Sequence, residues 1–464
     1  MKLTLLASLI LCVALVACKK ETLITSKDAS IVLSTDTLHF DTVFTSVGTI
    51  TQYFTIRNAN HQKLHLSSVR LAGGAASSFK INVDGTLGPQ VNDVELEADD
   101  SLYVFVSATL NANGNNLPFI VRDSIEINWN GNRQFMQLES WGQNANFLRA
   151  RKITGNTTWN NKLPYVILGG IQVDTNAVLT IEAGCKIYLH ADAPFVVDGT
   201  LRVNGNAPDS ARVYFQGDRL DEPYKNYPAG WPGIYFRGTS RDNVLNYAVV
   251  QNAYQAIVAE QPALNGRAKL ALNQCIIDNA YDAGILGVQS SINAVNCLVS
   301  NCGKGAQLVL GGSYQFTHCT VASYSTTYGL HKEPVLFTSN FISQNNTVIP
   351  SDLDAVFRNC IFWGDSATVK DEVVVSKQGN TKFNASFQNC LYRVSKPPDN
   401  ITASNNISNQ YPQFDSINTQ KHYFDFRLKL GSPAINKGLN AGIVLDLDGK
   451  PRTGLPDLGA FERQ

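Results

Sequence analysis

Charge of either sign, methionine and histidine are all scarce in this chain, and each shortage removes a class of protein. Lys+Arg and Asp+Glu number 38 each in 464 residues, with a pI near 7.0. No dense basic patch of the kind that grips nucleic acid, another polyanion or a charged membrane surface stands out. Seven histidines and nine cysteines include no Cys-x-x-Cys pair, so a zinc centre is not expected, and neither is another metal or a cofactor. Two methionines beside 34 glycines suit a β-rich secreted protein better than a helical cytosolic one. No amphipathic helix of about 10 or more residues separates the apolar segments.

What is present is a short signature that returns at a nearly constant step. It reads Cys275-Ile276-Ile277-Asp278-Asn279, Cys297-Leu298-Val299-Ser300-Asn301, Cys319-Thr320-Val321, Cys360-Ile361-Phe362 and Cys390-Leu391-Tyr392, with a looser copy at Ala248-Val249-Val250-Gln251-Asn252. The cysteines are 22, 22, 41 and 30 residues apart, and Asn340-Phe341-Ile342 divides the long step into 21 and 20. A fixed period of this size, with strand-like content, marks a solenoid whose coils bury their apolar faces only by stacking. In Phe316-Thr317-His318-Cys319-Thr320-Val321 alternate side chains face inward, and the set with Thr317, Cys319 and Val321 is the apolar one. Stacked coils then predict a ladder of reduced, buried cysteines roughly 4.8 Å apart. A disulfide reading, open in an oxidising compartment, asks for a Cβ geometry that neighbouring parallel strands rarely offer. Asn252, Asn279 and Asn301 share the place after the strand and predict an Asn ladder at a tight turn.

Residues 31–147 follow another pattern. Short alternating runs such as Gln52-Tyr53-Phe54-Thr55-Ile56 and Leu102-Tyr103-Val104-Phe105-Val106 are separated by Gly-, Asn- and Asp-rich turns, which predicts a small antiparallel β-sandwich of roughly seven strands. Ahead of it, residues 19–30 are polar and aperiodic, as a flexible tether would be. Residues 1–18 begin with Met1-Lys2, continue through the mostly apolar Leu3 to Val16 and end in Leu15-Val16-Ala17-Cys18. The run is too short for a mature membrane span and reads as a secretory signal.

Several of these segments carry resemblances. Leu15-Val16-Ala17-Cys18 resembles the bacterial lipobox, which implies a lipid on Cys18 and a place in the cell envelope, as an outer-membrane lipoprotein. Asp36-Thr37-Leu38-His39-Phe40-Asp41 and Thr51 to Asn58 resemble immunoglobulin-like modules that precede repeats in envelope proteins. Phe195-Val196-Val197-Asp198-Gly199-Thr200 and Gly230-Trp231-Pro232-Gly233-Ile234-Tyr235-Phe236 resemble the opening coils of right-handed parallel β-helix lipoproteins of the Bacteroidetes. Gly431-Ser432-Pro433-Ala434-Ile435-Asn436 and Asp446-Leu447-Asp448-Gly449-Lys450-Pro451-Arg452 resemble the closing segment of many secreted β-helix proteins. The expected protein is all-β: the sandwich, a right-handed parallel β-helix of about 12 coils over residues 148–430, and a C-terminal cap over 431–464. Asp446 and Asp448 start like a calcium loop but do not complete one, so they are expected to serve the cap with Arg452.

Right-handed β-helices often act on acidic polysaccharides. A hydrolase needs two carboxyls about 5 to 9.5 Å apart, and a lyase a basic side chain with a cation facing the uronate. Asp278 and Asp282 are the acidic candidates, His331, Lys332 and Arg358 the basic ones. No acidic ladder forms, because Ser300 and Ala322 follow Asp278 in later coils. Trp231, Tyr254, Tyr281, Tyr324, Tyr328 and Trp363 are candidate platforms for sugar rings. The expected function is noncatalytic: a lipid-anchored envelope protein that binds a polysaccharide or an envelope protein, or serves as a spacer. The alternative is a polysaccharide lyase or glycoside hydrolase with its site in a groove along the β-helix.

Overall fold

The computed structural model describes residues 22–44, 51–110, 119–221, 223–365 and 368–464. The expected signal segment, residues 1–18, and its lipidation candidate Cys18 lie outside the described residues. Regular structure in the rest is strand apart from three short 3₁₀ turns. The chain forms two compact units, Met1–Asn144 and Ala145–Gln464.

In the first unit, alternating apolar residues build two five-stranded sheets. One joins Ile31–Leu33, Gln52–Asn58, Ser101–Ala108, Phe79–Val83 and Thr86–Gly88, in that order. The other joins Thr37–Phe44, Asn132–Gln143, Phe119–Trp129, Leu64–Leu71 and Gln90–Leu96. Phe54, Ile56, Val104 and Val106 from the first face Leu66, Val69, Ile125 and Ile127 from the second in one core. The sandwich is therefore larger than the seven strands expected, and one pairing, Gln137 with Thr37, is parallel. The end of the expected tether is held rather than free. Ile24 bridges Leu64, Asn130 Nδ2 donates to the carbonyls of Ile24 and Ser26 at 2.9 and 3.0 Å, and Ala29 is buried.

The second unit is a parallel β-helix with three strand positions per coil. For one coil these are Leu270–Asn273, Ile276–Asp278 and residues 283–288. Each pairs in parallel with its counterpart one coil on: Leu270 with Ile292, Ile276 with Leu298, Ile285 with Ala306. At the second position ten successive pairings join eleven strands from Asn146–Ile153 to Ile407–Ser408, in keeping with the dozen or so coils expected. The long 41-residue step does not divide into two coils as expected. Thr320–Ser323 pairs directly with Ile361–Gly364, so the step is a single coil. Its extra residues leave as a loop, 324–335, and as the antiparallel hairpin Phe341–Gln344 with Thr347–Pro350. Asn340-Phe341-Ile342 starts that hairpin and is no coil strand. A second insertion, 218–230, follows Val213–Gly217.

Cys275, Cys297, Cys319, Cys360 and Cys390 are free, buried and stacked at the corner between the first and second strand positions. The residue before each of them, Gln274, Asn296, His318, Asn359 and Asn389, has φ between 50° and 54°. That left-handed corner breaks the expected alternation. Phe316 joins Cys319 and Val321 in the core, and Thr317 does not. The Asn ladder is present at the next corner: Asn252, Asn279 and Asn301 have φ of 61°, 54° and 51°, and Asn279 Nδ2 donates to Asn252 Oδ1 at 2.7 Å.

The C-terminal segment is not an end cap. After the last coil it doubles back along the flank, over the cysteine corner, as a strap. Asn389, Asn359 and Asn296 donate side-chain amides to the carbonyls of Lys437, Leu439 and Leu445 at 2.8, 2.8 and 2.6 Å, and Arg212 Nη2 donates to Leu447 at 2.7 Å. Leu447, Leu458 and Phe461 pack on the outward side chains Leu298, Ile361, Trp363 and Leu391, so these strands are covered on both faces. Arg452 is enclosed and donates to Glu462 at 3.0 Å, to Asn296 at 2.8 Å and to the carbonyls of Gly459 and Ala460. Asp446 is taken up by the backbone amides of Asp448, Lys450 and Glu462, and Asp448 by Arg427.

One corner holds a buried cation. Lys269 Nζ donates to the carbonyls of Arg237, Gly238 and Ser240 at 2.8 to 2.9 Å, with its side chain fully enclosed. Burial outweighs the distant Glu260 carboxylate and pushes the Lys269 ammonium down to about 8. The unfolded lysine titrates near 10.4, so between about pH 8 and 10 the unfolded chain holds a proton that the folded one has released. Stability contributed at this site therefore rises as pH rises through that window. Measured against Lys269→Met by urea denaturation, the wild type is expected to gain up to about 3 kcal/mol from pH 7 to 10. A pH-independent difference between the two proteins contradicts this.

Candidate binding groove

The Asn corner is flanked by the insertions 218–230 and 324–335. Between them the β-helix surface forms a groove of about 380 Å³, lined by Tyr281, Asp282, Lys304, Tyr324, Tyr328 and Lys332 among others. Each coil contributes a side chain just past its Asn turn, so neighbouring coils place chemistry side by side. Tyr254 and Tyr281, one coil apart, stack with ring centroids 5.6 Å apart and stay 45% and 59% exposed. From the insertions, Tyr227 meets Tyr328 edge-on at 4.9 Å. His422 stacks on the same Tyr328 at 4.3 Å and exchanges a 2.7 Å hydrogen bond with Thr327.

The two charges that the coils bring to the groove, Asp282 and Lys304, are committed to one another. Asp282 accepts from Lys304 Nζ and from Gln255 Nε2, both at 2.8 Å. Burial opposes its ionisation, but the ammonium and the amide outweigh burial and hold the Asp282 carboxyl below its usual range. His331 lines the base of the groove wall, with its ring fully enclosed. Its Nε2 lies 2.9 and 3.1 Å from the two oxygens of Glu372, whose carboxylate also takes Arg393 Nη2 at 2.7 Å. This trio anchors the loop 324–335. Lys332 and Glu333 are exposed at its tip.

Of the residues singled out from the sequence, Tyr281, Asp282, Tyr324, Tyr328, His331 and Lys332 converge here, with Tyr254 stacked at the edge. The others do not. Asp278 lies in a separate cleft of about 390 Å³ beneath the hairpin Phe414–Asn418 with Tyr423–Leu428. There it takes Ser300 Oγ at 2.6 Å and Asn301 Nδ2 at 3.2 Å, and burial pushes its carboxyl up. Arg358 sits on the first strand position and donates to Gln388 at 2.9 Å. Trp231 is 1% exposed and donates to the Gln251 carbonyl, and Trp363 packs beneath the strap, so neither is a platform for a ligand. His331 is buried and cannot reach a substrate as a base. Sequence reading missed Lys304, although it lies 22 residues after Asp282, one period on. It also missed Tyr227 and His422, which sit outside the repeat. Among the described residues no group of three or more His, Cys, Asp and Glu is arranged to hold a metal ion.

Residues 149–321 match the family model described as right handed beta helix region. Among curated proteins none matches the chain. Pectate lyase Pel9A is 13% identical over 70% of this chain and 88% of its own, with a TM-score of 0.33. The PapD-like domain 7 of human CEP192 is 13% identical over 27% of this chain and 92% of its own, with a TM-score of 0.17. The family 123 glycoside hydrolase of Clostridium perfringens is 10% identical, with a TM-score of 0.18, and the match spans about a quarter, 26%, of that enzyme's length. No function passes to this chain from likenesses so low. The class is settled by the ladder and the family model together: this is an all-β protein built on a right-handed parallel β-helix, preceded by a small β-sandwich.

Proposed function

We propose that this protein is a noncatalytic glycan-binding lipoprotein of the bacterial cell envelope, anchored through Cys18, with the tyrosine groove as its binding site. The observation that carries the reading is the groove itself: exposed tyrosines from two coils and an insertion surround a polar floor. Tyrosine suits sugar because its ring packs on the apolar face of a pyranose while its hydroxyl stays available for hydrogen bonds. Asp282 is ion-paired and Glu372 is enclosed, which leaves Glu333 as the exposed carboxylate of the groove lining where a hydrolase needs two. The envelope address rests on the Leu-Val-Ala-Cys ending of the first 18 residues.

A second reading follows from Lys304 and Lys332, which stand beside the tyrosines and offer a base and a cation to a uronate, as a lyase requires. The two readings share the site and differ in turnover. Under either, Tyr281→Ala is expected to weaken retention by a bound polysaccharide about tenfold or more, as loss of a central aromatic contact does. Affinity electrophoresis of the mature chain measures this. Unchanged retention of the variant on every polysaccharide that retards the parent contradicts the placement.

A further inference from the structure

The outer face of one sandwich sheet carries a second aromatic surface. Tyr53 on Gln52–Asn58 and Tyr103 and Phe105 on Ser101–Ala108 all point away from the core, 58%, 48% and 40% exposed. Their ring centroids lie 5.4 to 6.0 Å apart, and the planes of Tyr103 and Phe105 differ by only 17°. Three large rings held together in water are a costly surface unless something covers them.

The charges around the rings say what. The register sets Arg57 opposite Ser101 and Lys80 opposite Ser107, so one cation flanks each end of the strand that bears Tyr103 and Phe105. Six residues along a strand separate those ends by roughly 20 Å. Thr55, Asn82 and Ser107 fill the space between with hydrogen-bonding groups. The strand positions on this face carry no carboxylate among the described residues. The two cations are far apart in sequence, which is why no basic run marks them; the sheet brings them to one face.

We propose that this face is a second glycan site, separate from the groove, and that it takes a linear polysaccharide bearing carboxylates. Such a chain lies along the strand direction, stacks sugar rings on Tyr103, Phe105 and Tyr53, and sets its acidic groups against Arg57 and Lys80.

The mature chain is tested by affinity electrophoresis in polygalacturonate, alginate and hyaluronate, with dextran as the neutral control. Tyr53→Ala/Phe105→Ala is expected to reduce retardation by at least one of the acidic chains about tenfold or more, while Tyr281→Ala in the groove leaves that component in place. Arg57→Gln/Lys80→Gln, which spares the rings, is expected to weaken the same component and its salt dependence together. Retardation by none of the three acidic chains overturns the proposal. So does equal retardation of parent and platform variants, or retention by dextran as strong as by the acidic chains. A shift from dimer to monomer in Tyr53→Ala/Phe105→Ala, read by light scattering without glycan, also overturns it, since a second copy of the chain is then the occupant. Failure of the groove reading is seen independently, in the response to Tyr281→Ala.

Discussion

Arg452→Met is expected to release the C-terminal strap from the β-helix. The guanidinium is enclosed among Glu462, Asn296 and the carbonyls of Gly459 and Ala460, and methionine fills much of its volume while satisfying none of them. Removing one partner of a buried pair leaves the other charge and its acceptors uncompensated, a loss of about 3–5 kcal/mol. Beside its apolar packing, the strap is held to the corner by single side-chain contacts from Arg212, Asn296, Asn359 and Asn389 and, among the described residues, by no strand ladder. It therefore gives way before the coils, whose strands pair along their whole length. Limited proteolysis with mass analysis is expected to show new early cuts between residues 409 and 464, with the coils still resistant. Exposure of Leu298, Ile361 and Leu391 is expected to lower solubility as well. Cleavage kinetics equal to the parent's, with a denaturation midpoint that does not move, contradict the strap's role.

Gly364→Ala is expected to be nearly as damaging, and to reach the groove. Gly364 ends the second-position strand Ile361–Gly364, and a methyl built there would overlap the Glu372 carboxylate and the His331 ring. Both are enclosed, so neither can swing into solvent to make room. Displaced, Glu372 loses His331 or Arg393, and the amide of Val335 loses its acceptor at 3.3 Å. A broken buried ion network costs on the order of 3 kcal/mol. The loop 324–335 hangs from this trio, so Tyr328 and Lys332 lose their fixed places, and glycan retention is expected to fall with stability. Measured together, a lower denaturation midpoint and weaker retention support the arrangement. Full stability with full retention would falsify it.

Much of the β-helix was legible because a coil repeats its own chemistry. The cysteines mark the corner before the second strand, and the Asn residues mark the corner after it, at positions where a left-handed backbone is needed. Insertions were harder to see, since Asn340-Phe341-Ile342 has the apolar pattern of a coil strand and differs only in its partner, the antiparallel Thr347–Pro350. The strap was read as an end cap because its contacts cross great sequence distance, 235 residues between Arg212 and Leu447, and leave no period. The groove was half legible. Tyr254 and Tyr281 follow the coil period, whereas Tyr227 and His422 arrive from segments outside it. Trp231 and Trp363 misled for one reason: a tryptophan on a solenoid looks the same in sequence whether it faces water, the core or a covering strap.

The most direct measurement is a screen of the protein lacking residues 1–18 against acidic and neutral polysaccharides, with and without calcium. It records retention and new unsaturated or reducing ends in the same samples. Retention without new ends is the expected result, with the share owed to the groove lost in Tyr281→Ala. New chain ends from any one glycan, abolished by Lys332→Ala or Lys304→Ala, would contradict it and make this protein an enzyme.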